Sequence, residues 1–310
     1  MSLLSIVIVS WNVEHLLAAC LRSIDAHKGT LAVEVIVVDS ASHDGTVAMV
    51  SAEFPHVTLL AQSENVGFPR GNNIGLAQAN GDYLLLLNPD TEVVGDALQT
   101  MVNYLDNTPE AGMVGPELLN TDGSHQSSRR RFPTLLTGIF ESTWLQPYAP
   151  KQILRDYYME ETGNDEVVSA DWVNGACMMT RRDVYERVGG MDPGYFMYSE
   201  ELDWCRRVID AGYSVTYLPT AQVLHHQGKS SEQAVTHRHI NFNRAKLRYF
   251  RKFHGRGAYT IIRTVLLLTY LHQIVIEGLK YVLGHRRDLR QQRIQSYLTV
   301  LQSKLSAAGY

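Results

Sequence analysis

The sequence predicts an α/β protein with a mostly parallel sheet flanked by helices, followed by a helical extension at the C-terminus. Short apolar runs alternate with helix-length segments over the first 116 residues. Continuous apolar strands separated by helices are typical of parallel sheets buried on both faces. A change of charge marks the extension: residues 1–232 contain 14 Lys and Arg against 30 Asp and Glu, whereas residues 233–310 contain 14 against 2.

Run length and residue type predict the individual elements of the first part. Residues 4–9 form a β-branched run too short for a helix, and later runs repeat this character. Each is followed by a segment long enough for a helix. The predicted strands are 4–9, 33–38, 57–60, 83–87 and 113–114, and the predicted helices are 13–26, 45–53, 72–79 and 95–105.

Regularity falls between residues 117 and 170, where several prolines and the run Arg129-Arg130-Arg131 indicate a mobile loop region. Order returns at residue 171. The later predicted elements are a stretch at 171–180, helices at 182–188 and 201–211, strands at 215–217 and 223–224, and then two or three long helices. We therefore expect a body of residues 1–232, with halves 1–116 and 117–232, and a basic helical extension over 233–310.

Composition excludes several classes of protein. With 45% hydrophobic and 19% charged residues, the chain is neither disordered nor collagen-like. Cys20, Cys177 and Cys205 are odd in number and form no C-x-x-C pair, so we expect a reducing cytosol rather than a disulfide scaffold. The apolar run 3–9 lacks a preceding basic residue and is typical of a strand, not a signal peptide. The uncharged apolar stretch 264–276 is shorter than the about 20 residues of a bilayer span, so no transmembrane helix is predicted.

Polar loops follow four of the predicted strands. Taken singly, each loop could be ordinary turn and cap chemistry, because Asn, Asp, Gly and Pro dominate turns. The carboxyl ends of parallel strands meet at one edge of a sheet, where ligands bind, so together the loops favour a binding cleft. The four loops are 10–12, 39–46, 65–73 and 88–91.

Asp90 is a candidate ligand for a divalent cation. An apolar strand brings Asn88-x-Asp90 to the sheet edge, and Mg²⁺ typically takes one or two protein carboxylates together with phosphate oxygens and water. Asp90 could also cap the following helix, and the two roles are compatible. A lone histidine is usually structural, but His225 could join Asp90 as a ligand through its neutral imidazole.

Glycines and carboxylates provide further candidates. The first strand is followed by no G-x-G-x-x-G and the chain has no P-loop motif, so nothing in the sequence supports a dinucleotide enzyme or a P-loop ATPase. Glycines 67, 71 and 75 flank Arg70 and would allow close approach to a sheet or a diphosphate, although helix packing alone explains them equally well.

Glu200, Glu201 and Asp203 begin a helix, where the dipole favours acids. The aromatic stretch 194–198 before them would also desolvate one carboxylate and suit it as a base.

The order of these motifs resembles that of the family-2 glycosyltransferases of the GT-A fold, particularly bacterial rhamnosyltransferase-like members. The likeness covers residues 4 to about 254. This chain departs from the family pattern at two places: it has Asn88-x-Asp90 where the family usually has D-x-D, and Glu200-Glu201 where the family usually has Glu-Asp. The matching stretches are 5–12, 38–45, 65–73, 87–91, 175–176, 189–192, 200–203 and His225-x-x-Gly228-x-Ser230.

The resemblance implies a Rossmann-like GT-A catalytic domain over 1–232 with a nucleotide-sugar half and an acceptor half. It implies inverting transfer from a nucleoside-diphosphate sugar, with dTDP-rhamnose preferred on family likeness alone, assisted by Mg²⁺ or Mn²⁺. Glu201 would be the catalytic base, and Asp90 and His225 the metal ligands. The nucleotide-sugar residues would be Ser10, Asn12, Asp39, Asp44, Asn65, Gly67, Arg70, Asn73 and Asn88, and the acceptor residues Trp172, Gly175 and Glu200.

The sequence is also compatible with another function and with several partners. A non-catalytic nucleotide-sugar-binding or scaffold protein of the same fold is the alternative, and retention of Asp90 and of a carboxylate at 201 argues against it. The expected acceptor is a glycan or a lipid-linked hydroxyl in cell-surface polysaccharide synthesis. Residues 238–293 either contact an anionic membrane surface, which would place a cytoplasmic protein at the inner face of the plasma membrane, or pack on the body or on a second copy in a homodimer. No nucleic-acid motif accompanies the basic charge.

Overall fold

The structure is a computed structural model that describes residues 2–226 and 235–305, with side chains from residue 237 onward in the second range. Within these residues the chain divides into two compact units. The first contains residues up to 132, 158–196 and 200 onward to the gap; the second contains 133–157, 197–199 and the helices after the gap. The sequence analysis had placed 133–157 in the body.

The first unit begins with alternating strands and helices, as predicted. Strands β1, β2, β3 and β4 pair in parallel, with β1 between β2 and β4. Helix α3 begins at Phe68, four residues before the predicted start. The elements are β1 (Leu3–Ser10), α1 (Glu14–His27), β2 (Ala32–Asp39), α2 (Thr46–Glu53), β3 (Thr58–Ala61), α3 (Phe68–Gln78), β4 (Tyr83–Leu87), β5 (Thr91–Val94), α4 (Ala97–Asn107) and β6 (Ala111–Leu119).

The later elements complete the sheet and introduce the second unit. The stretch 117–170, expected to be a loop region, contains short strands and helices. The predicted strands 215–217 and 223–224 are parts of one long strand. The elements are β7 (His125–Gln126), β8 (Arg129–Arg130), α5 (Leu135–Phe140), a 3-10 turn (Gln146–Tyr148), α6 (Lys151–Tyr158), β9 (Val168–Ala170), β10 (Trp172–Val173), β11 (Cys177–Arg181), α7 (Arg182–Val188), α8 (Glu200–Asp210) and β12 (Ser214–His225).

The main sheet has the order β3-β2-β1-β4-β11-β6-β12-β5. Strand β11 lies antiparallel between β4 and β6, and β5 is antiparallel to β12, so the sheet is mixed but mostly parallel. Side chains alternate along β1: Leu4, Ile6 and Ile8 enter one buried cluster, and Val7 enters the other. The sheet is therefore covered on both faces, and the predicted α/β class with flanking helices is confirmed.

The second unit is helical where the structure describes it. Helices α9 (Val235–Phe253), α10 (Gly255–Val282) and α11 (Arg287–Gln302) follow the gap. Gly138 of α5 lies against α9 and α10, since a β-carbon there would come within 2.5 Å of the Phe250 ring and 2.7 Å of Ile262. Among the described residues, α10 is one helix long and apolar enough to cross a membrane by length and composition. No transmembrane helix was predicted because the uncharged stretch 264–276 is shorter than a bilayer span, whereas the helix extends beyond that stretch at both ends.

Candidate functional site

The first two parallel strands end in polar side chains, each with one buried oxygen that lacks a hydrogen-bond partner among the residues described. Ser10 closes β1 and Asp39 closes β2, at positions that are paired in the register. Asp39 Oδ2 accepts a hydrogen bond from the Ser42 amide at 2.9 Å. The other carboxylate oxygen, Oδ1, and Ser10 Oγ are buried and find no hydrogen-bond partner in the described part of the chain. Because buried polar atoms are almost always hydrogen-bonded, this pair is a candidate contact for water or for a ligand.

Asn12 and Asp44 hold the loops beside these strands. Asn12 has a φ of 53°, and its Oδ1 accepts from the His43 amide at 2.7 Å. Asp44 accepts from the Glu14 amide at 3.1 Å and from the Thr46 amide at 3.1 Å, so one carboxylate serves the first turns of α1 and α2. Desolvation acts to raise the pKa of Asp44, but the hydrogen bonds from Thr46 and Glu14 outweigh it and hold that pKa below its ordinary value. Their predicted contact with the nucleotide stays a prediction.

The loop before α3 is built around Asn65 and Gly67. Asn65 Oδ1 accepts from Ser40 Oγ at 3.2 Å and from the Gly67 amide at 3.0 Å. Gly67 has a φ of 76° and a ψ of 168°, a region that essentially only glycine adopts. A β-carbon there would lie 2.7 Å from the Phe196 carbonyl oxygen. Phe196, expected near the carboxylates of α8, thus packs on this loop.

Helix α3 presents one exposed cation and one anchoring amide. Arg70 is exposed in the first turns of the helix. Asn73 donates from Nδ2 to the Met191 carbonyl at 2.8 Å and accepts from the Met191 amide at 2.9 Å, so it holds the 189–192 turn. A β-carbon on Gly71 would come within 2.8 Å of Val9, which shows that this glycine serves close packing of α3 on β1.

Asp90 and His225 meet across neighbouring strands. Strand β12 pairs with β5 so that His225 lies opposite Thr91, the residue after Asp90. The Asp90 carbonyl accepts from the His226 amide at 2.9 Å. Both side chains are buried, at 5% and 8% exposure, and Asp90 Oδ1 lies 3.5 Å from His225 Nε2. The structure therefore brings together the two residues predicted as metal ligands.

Gln126 of β7 orients the imidazole, and the sequence analysis missed it. Its Nε2 donates to the His225 carbonyl at 2.7 Å, which fixes which end of the amide is oxygen. That oxygen lies 3.0 Å from His225 Nδ1, and because a carboxamide oxygen only accepts, Nδ1 is the donor. In the neutral imidazole the Nε2 lone pair then faces the Asp90 carboxylate. Two electron-pair donors in this arrangement could bind one cation.

Asn88, two residues before Asp90, adds a third polar group to this region. Its amide donates to the Ala176 carbonyl at 2.8 Å, while its Oδ1 is buried with no hydrogen-bond partner in the ranges described. Carboxylate and carboxamide oxygens suit Mg²⁺ or Mn²⁺, whereas an imidazole nitrogen is typically a ligand of transition metals. Across residues 2–226 and 235–305, no group of three His, Cys, Asp or Glu side chains could hold a metal. A cation here would thus need further oxygens from water or from a substrate.

The three acids of α8 have different surroundings. Asp203 is fully buried and accepts from Arg207 Nε at 2.7 Å and from Tyr195 Oη at 3.2 Å. Arg207 also donates to the Val188 and Gly190 carbonyls. Asp203 therefore ties α8 to the turn after α7. Glu200 is buried, and Glu201 is partly exposed.

Glu201 has the surroundings of a base. Burial raises its pKa, and the positive charge of Arg130 opposes that rise without cancelling it. Its Oε2 is buried and has no hydrogen-bond partner among the residues described. A β-carbon on Gly175 would lie 3.3 Å from the Glu201 β-carbon, so only a small residue at 175 leaves the helix this close.

Arg130 and Trp172 complete this side of the site. The Arg130 guanidinium lies over the Trp172 ring at 5.3 Å and over the Tyr158 ring at 5.0 Å. Trp172 Nε1 donates to the Arg131 carbonyl at 3.0 Å. The arginine run was expected to be mobile loop, and its proximity to Glu201 was not predicted. Of the predicted His225-x-x-Gly228-x-Ser230 motif, Gly228 and Ser230 lie outside the described residues.

Comparison with solved structures defines the fold. A mannosyltransferase from Pyrobaculum calidifontis, solved with GDP-Man and Mn²⁺, superposes with a TM-score of 0.55 at 18% identity, covering 99% of this chain and 76% of that one. GalNAc-T7, solved with UDP, GalNAc and Mn²⁺, gives a TM-score of 0.56 at 17% identity over 79% and 47% of the two chains. Identities this low establish the fold alone, and that fold is the GT-A fold of glycosyltransferases.

Sequence comparison then gives the family. Residues 5–189 match the model of glycosyl transferase family 2, and the chain belongs to that family. The N-acetylglucosaminyl-diphospho-decaprenol L-rhamnosyltransferase of Mycobacterium tuberculosis is 30% identical over 210 residues, 64% of this chain and 68% of that protein. Rhamnosyltransferase WbbL of Escherichia coli is 33% identical over 52% and 61%, and the dTDP-rhamnosyl transferase RfbF of Shigella flexneri is 24% identical over 78% and 75%. The chain is a glycosyltransferase, and the predicted family is confirmed.

Proposed function

We propose that this glycosyltransferase moves rhamnose from dTDP-rhamnose, with inversion, to a hydroxyl of a lipid-linked acceptor in cell-surface polysaccharide synthesis. The observation that carries the chemistry is Glu201, a carboxylate with a buried, unpartnered oxygen beside Arg130. The choice of rhamnose rests on the relatives, several of which are rhamnosyltransferases by name.

In this reaction the acceptor oxygen attacks the anomeric carbon from the face opposite the diphosphate. Glu201 takes the hydroxyl proton as the new C–O bond forms, and the bond to the diphosphate oxygen breaks with its electron pair left on that oxygen. A general base of this kind works best when its pKa lies near the operating pH, which burial of Glu201 favours. Attack from the opposite face gives the inverted configuration.

Binding of the donor nucleotide at the ends of β1 and β2 is supported by the buried oxygens there. Asp39 Oδ1 can accept a hydrogen bond from a base or ribose, and Ser10 Oγ can donate or accept one. Asn65, Asn73 and Gly67 shape the loop of α3 that carries Arg70, whose guanidinium suits an oxyanion.

A divalent cation fits the residues at the end of β4. Asp90 and His225 would hold Mg²⁺ or Mn²⁺, with Asn88 close by and the diphosphate supplying the remaining oxygens. When bound, such a cation stabilises negative charge on the departing diphosphate. Gln126 keeps the His225 imidazole in the tautomer whose Nε2 can bind it.

A panel of dTDP-, UDP- and GDP-sugars with a sugar-diphospho-lipid acceptor tests the proposal. We expect turnover with dTDP-rhamnose, its loss in EDTA, and an inverted anomeric configuration by NMR. Turnover with a different donor would overturn the rhamnose assignment, and undiminished turnover in EDTA would overturn the metal. Donor binding without turnover on any acceptor would indicate the non-catalytic alternative.

A further inference from the structure

Helix α10 exposes a continuous apolar stripe, which we name the α10 outer face. Along it, Val275, Leu279 and Val282 are 60%, 57% and 74% exposed. At about 100° per residue these positions fall on one side of the helix. The α10 outer face consists of Ile261, Leu268, Leu271, Val275, Leu279 and Val282.

The opposite side of α10 provides the packing within the second unit. Ile262, Leu266 and Tyr270 are buried there, and Gly138 of α5 approaches Ile262 closely. The apolar residues of the outer face are thus additional to those that form the core. An exposed apolar stripe of this length usually marks an interaction surface.

The charge of the extension indicates what covers the stripe. Residues 233–310 contain 14 Lys and Arg against 2 Asp and Glu. Exposed Arg256 lies near the start of α10, and exposed Arg286 and Arg287 follow its end. A basic surface attracts anionic lipid and repels the same surface of a second copy. The charge therefore favours an anionic membrane over a second copy of the chain.

The ion pairs of α10 show how the helix would meet that membrane. Glu277, on the inner side, is 2.7 Å from Arg290 of α11 and 3.2 Å from Lys280. A helix crossing the bilayer would carry this carboxylate and the polar helix α11 into hydrocarbon, which is costly. Lying parallel to the surface, α10 keeps these ion pairs on the protein side.

We propose that the α10 outer face lies in the surface of an anionic lipid membrane, with its apolar side chains among the acyl chains and its terminal arginines at the phosphates. The basic charge of residues 233–310 distinguishes this occupant from a second copy of the chain, whose matching face carries the same charge. The proposal stands on this surface and does not depend on which sugar the enzyme transfers.

Sedimentation with phosphatidylcholine vesicles, with and without phosphatidylglycerol, tests it. We expect the full chain to bind the anionic vesicles and the triple variant Leu271→Glu, Val275→Glu, Leu279→Glu to bind about tenfold or more weakly. The matched control places the same charge on exposed residues of α11: Gln291→Glu, Gln292→Glu, Gln295→Glu. An equal loss in both would mean a charge effect alone and would overturn the apolar role.

Two further measurements separate the remaining outcomes. Transfer to a soluble short-chain acceptor should be retained by the triple variant, which distinguishes loss of membrane binding from loss of folding or of enzyme function. Sedimentation velocity without lipid should show the same state of association for both variants; dissociation of a dimer only in the triple variant would assign the face to a second copy.

Labelling at the two ends tests the orientation. Cysteines at exposed His254, just before α10, and at exposed Gln291 should both react with a membrane-impermeant maleimide on closed vesicles, while native Cys20, Cys177 and Cys205 are buried and give a low background. Protection of one position until detergent is added would show that α10 crosses the bilayer and would contradict the proposal.

Discussion

Glu201 and Asp203 stand two residues apart on α8 in opposite electrostatic surroundings. Asp203 is paired with Arg207 at 2.7 Å inside the protein. Glu201 has a buried oxygen without a hydrogen-bond partner in the described ranges, and its pKa is raised by burial. The ion pair of Asp203 is structural, whereas burial raises the pKa of Glu201, as a base requires. At the residue scale this difference supports the proposed role of Glu201.

Replacement of the base should separate chemistry from binding. Glu201→Gln preserves shape but takes no proton, so we expect kcat to fall by roughly 10²–10⁴ with little change in donor affinity. The loss of kcat should be smaller for Glu201→Asp, which keeps a carboxylate at this position. Kinetics with saturating donor, and calorimetry for donor binding, measure the two effects. Normal turnover in Glu201→Gln together with an inactive Glu200→Gln would show that the base is misassigned.

The same variant should change stability in a pH-dependent way. Because the pKa of Glu201 is higher in the folded protein than in the unfolded chain, ionisation favours unfolding, and stability falls as pH rises through the interval between the two values. Glu201→Gln removes this loss. The Tm of the variant should therefore exceed that of the parent by more at pH 8 than at pH 4. A difference in Tm that does not depend on pH would contradict a raised pKa of Glu201.

Gln126 should act through His225. Gln126→Ala removes the acceptor that fixes the imidazole tautomer, so we expect Mn²⁺ affinity, measured by EPR with a nucleoside diphosphate present, to fall about 10–100-fold. Gln222→Ala on β12 is the control, because that side chain bonds Glu117 at the surface. Equal affinities in the two variants would mean that Gln126 is structural only.

At the scale of elements, the loop before α3 depends on a glycine for two reasons. Gly67 has a φ of 76° and no room for a β-carbon beside the Phe196 carbonyl, whereas Gly123 has a φ of 81° with nothing within 4 Å. Gly67→Ala should therefore destabilise the protein by about 1–3 kcal/mol more than Gly123→Ala, as measured by urea unfolding. Donor affinity should fall only in Gly67→Ala. Equal losses of stability in the two variants would mean that the positive φ alone requires a glycine at position 67, and that the close contact with Phe196 adds nothing.

Strand direction is a second feature of this scale. The apolar run in β11 predicted order but not that the strand would lie antiparallel between β4 and β6. Periodicity reports which faces of a strand are buried and is the same for both directions. The two short strands predicted in β12 are one strand with a register shift between Leu218 and Gln222, where polar and turn-forming residues interrupt the apolar pattern.

At the scale of the molecule, opposite charges divide the chain into an acidic body and a basic extension. Exposed charges are screened over about 8 Å at physiological ionic strength. If the extension holds the enzyme on anionic lipid, turnover with a vesicle-borne acceptor should fall as salt is raised, while turnover with a soluble acceptor should change little. If turnover fell equally with both acceptors, the effect of salt would lie in the active-site cleft and not in membrane binding.

The sequence by itself determined the α/β class, the strands β1, β2 and β4, the family, and the edge of the sheet at which polar residues collect. These depend on spacing and periodicity over a few residues, which the chain carries locally. It also named Asp90, His225 and Glu201. Their roles in metal binding and proton transfer remain predictions.

Only the tertiary structure decided what surrounds those residues. Gln126 beside His225 and Arg130 beside Glu201 come from short strands in a stretch whose polarity and prolines are typical of loops. The exposure of the α10 outer face, too, depends on which side of α10 packs within its unit. Such contacts join residues distant in the chain, and they follow from strand order and helix packing, which depend on the energy of the whole core rather than on any local pattern.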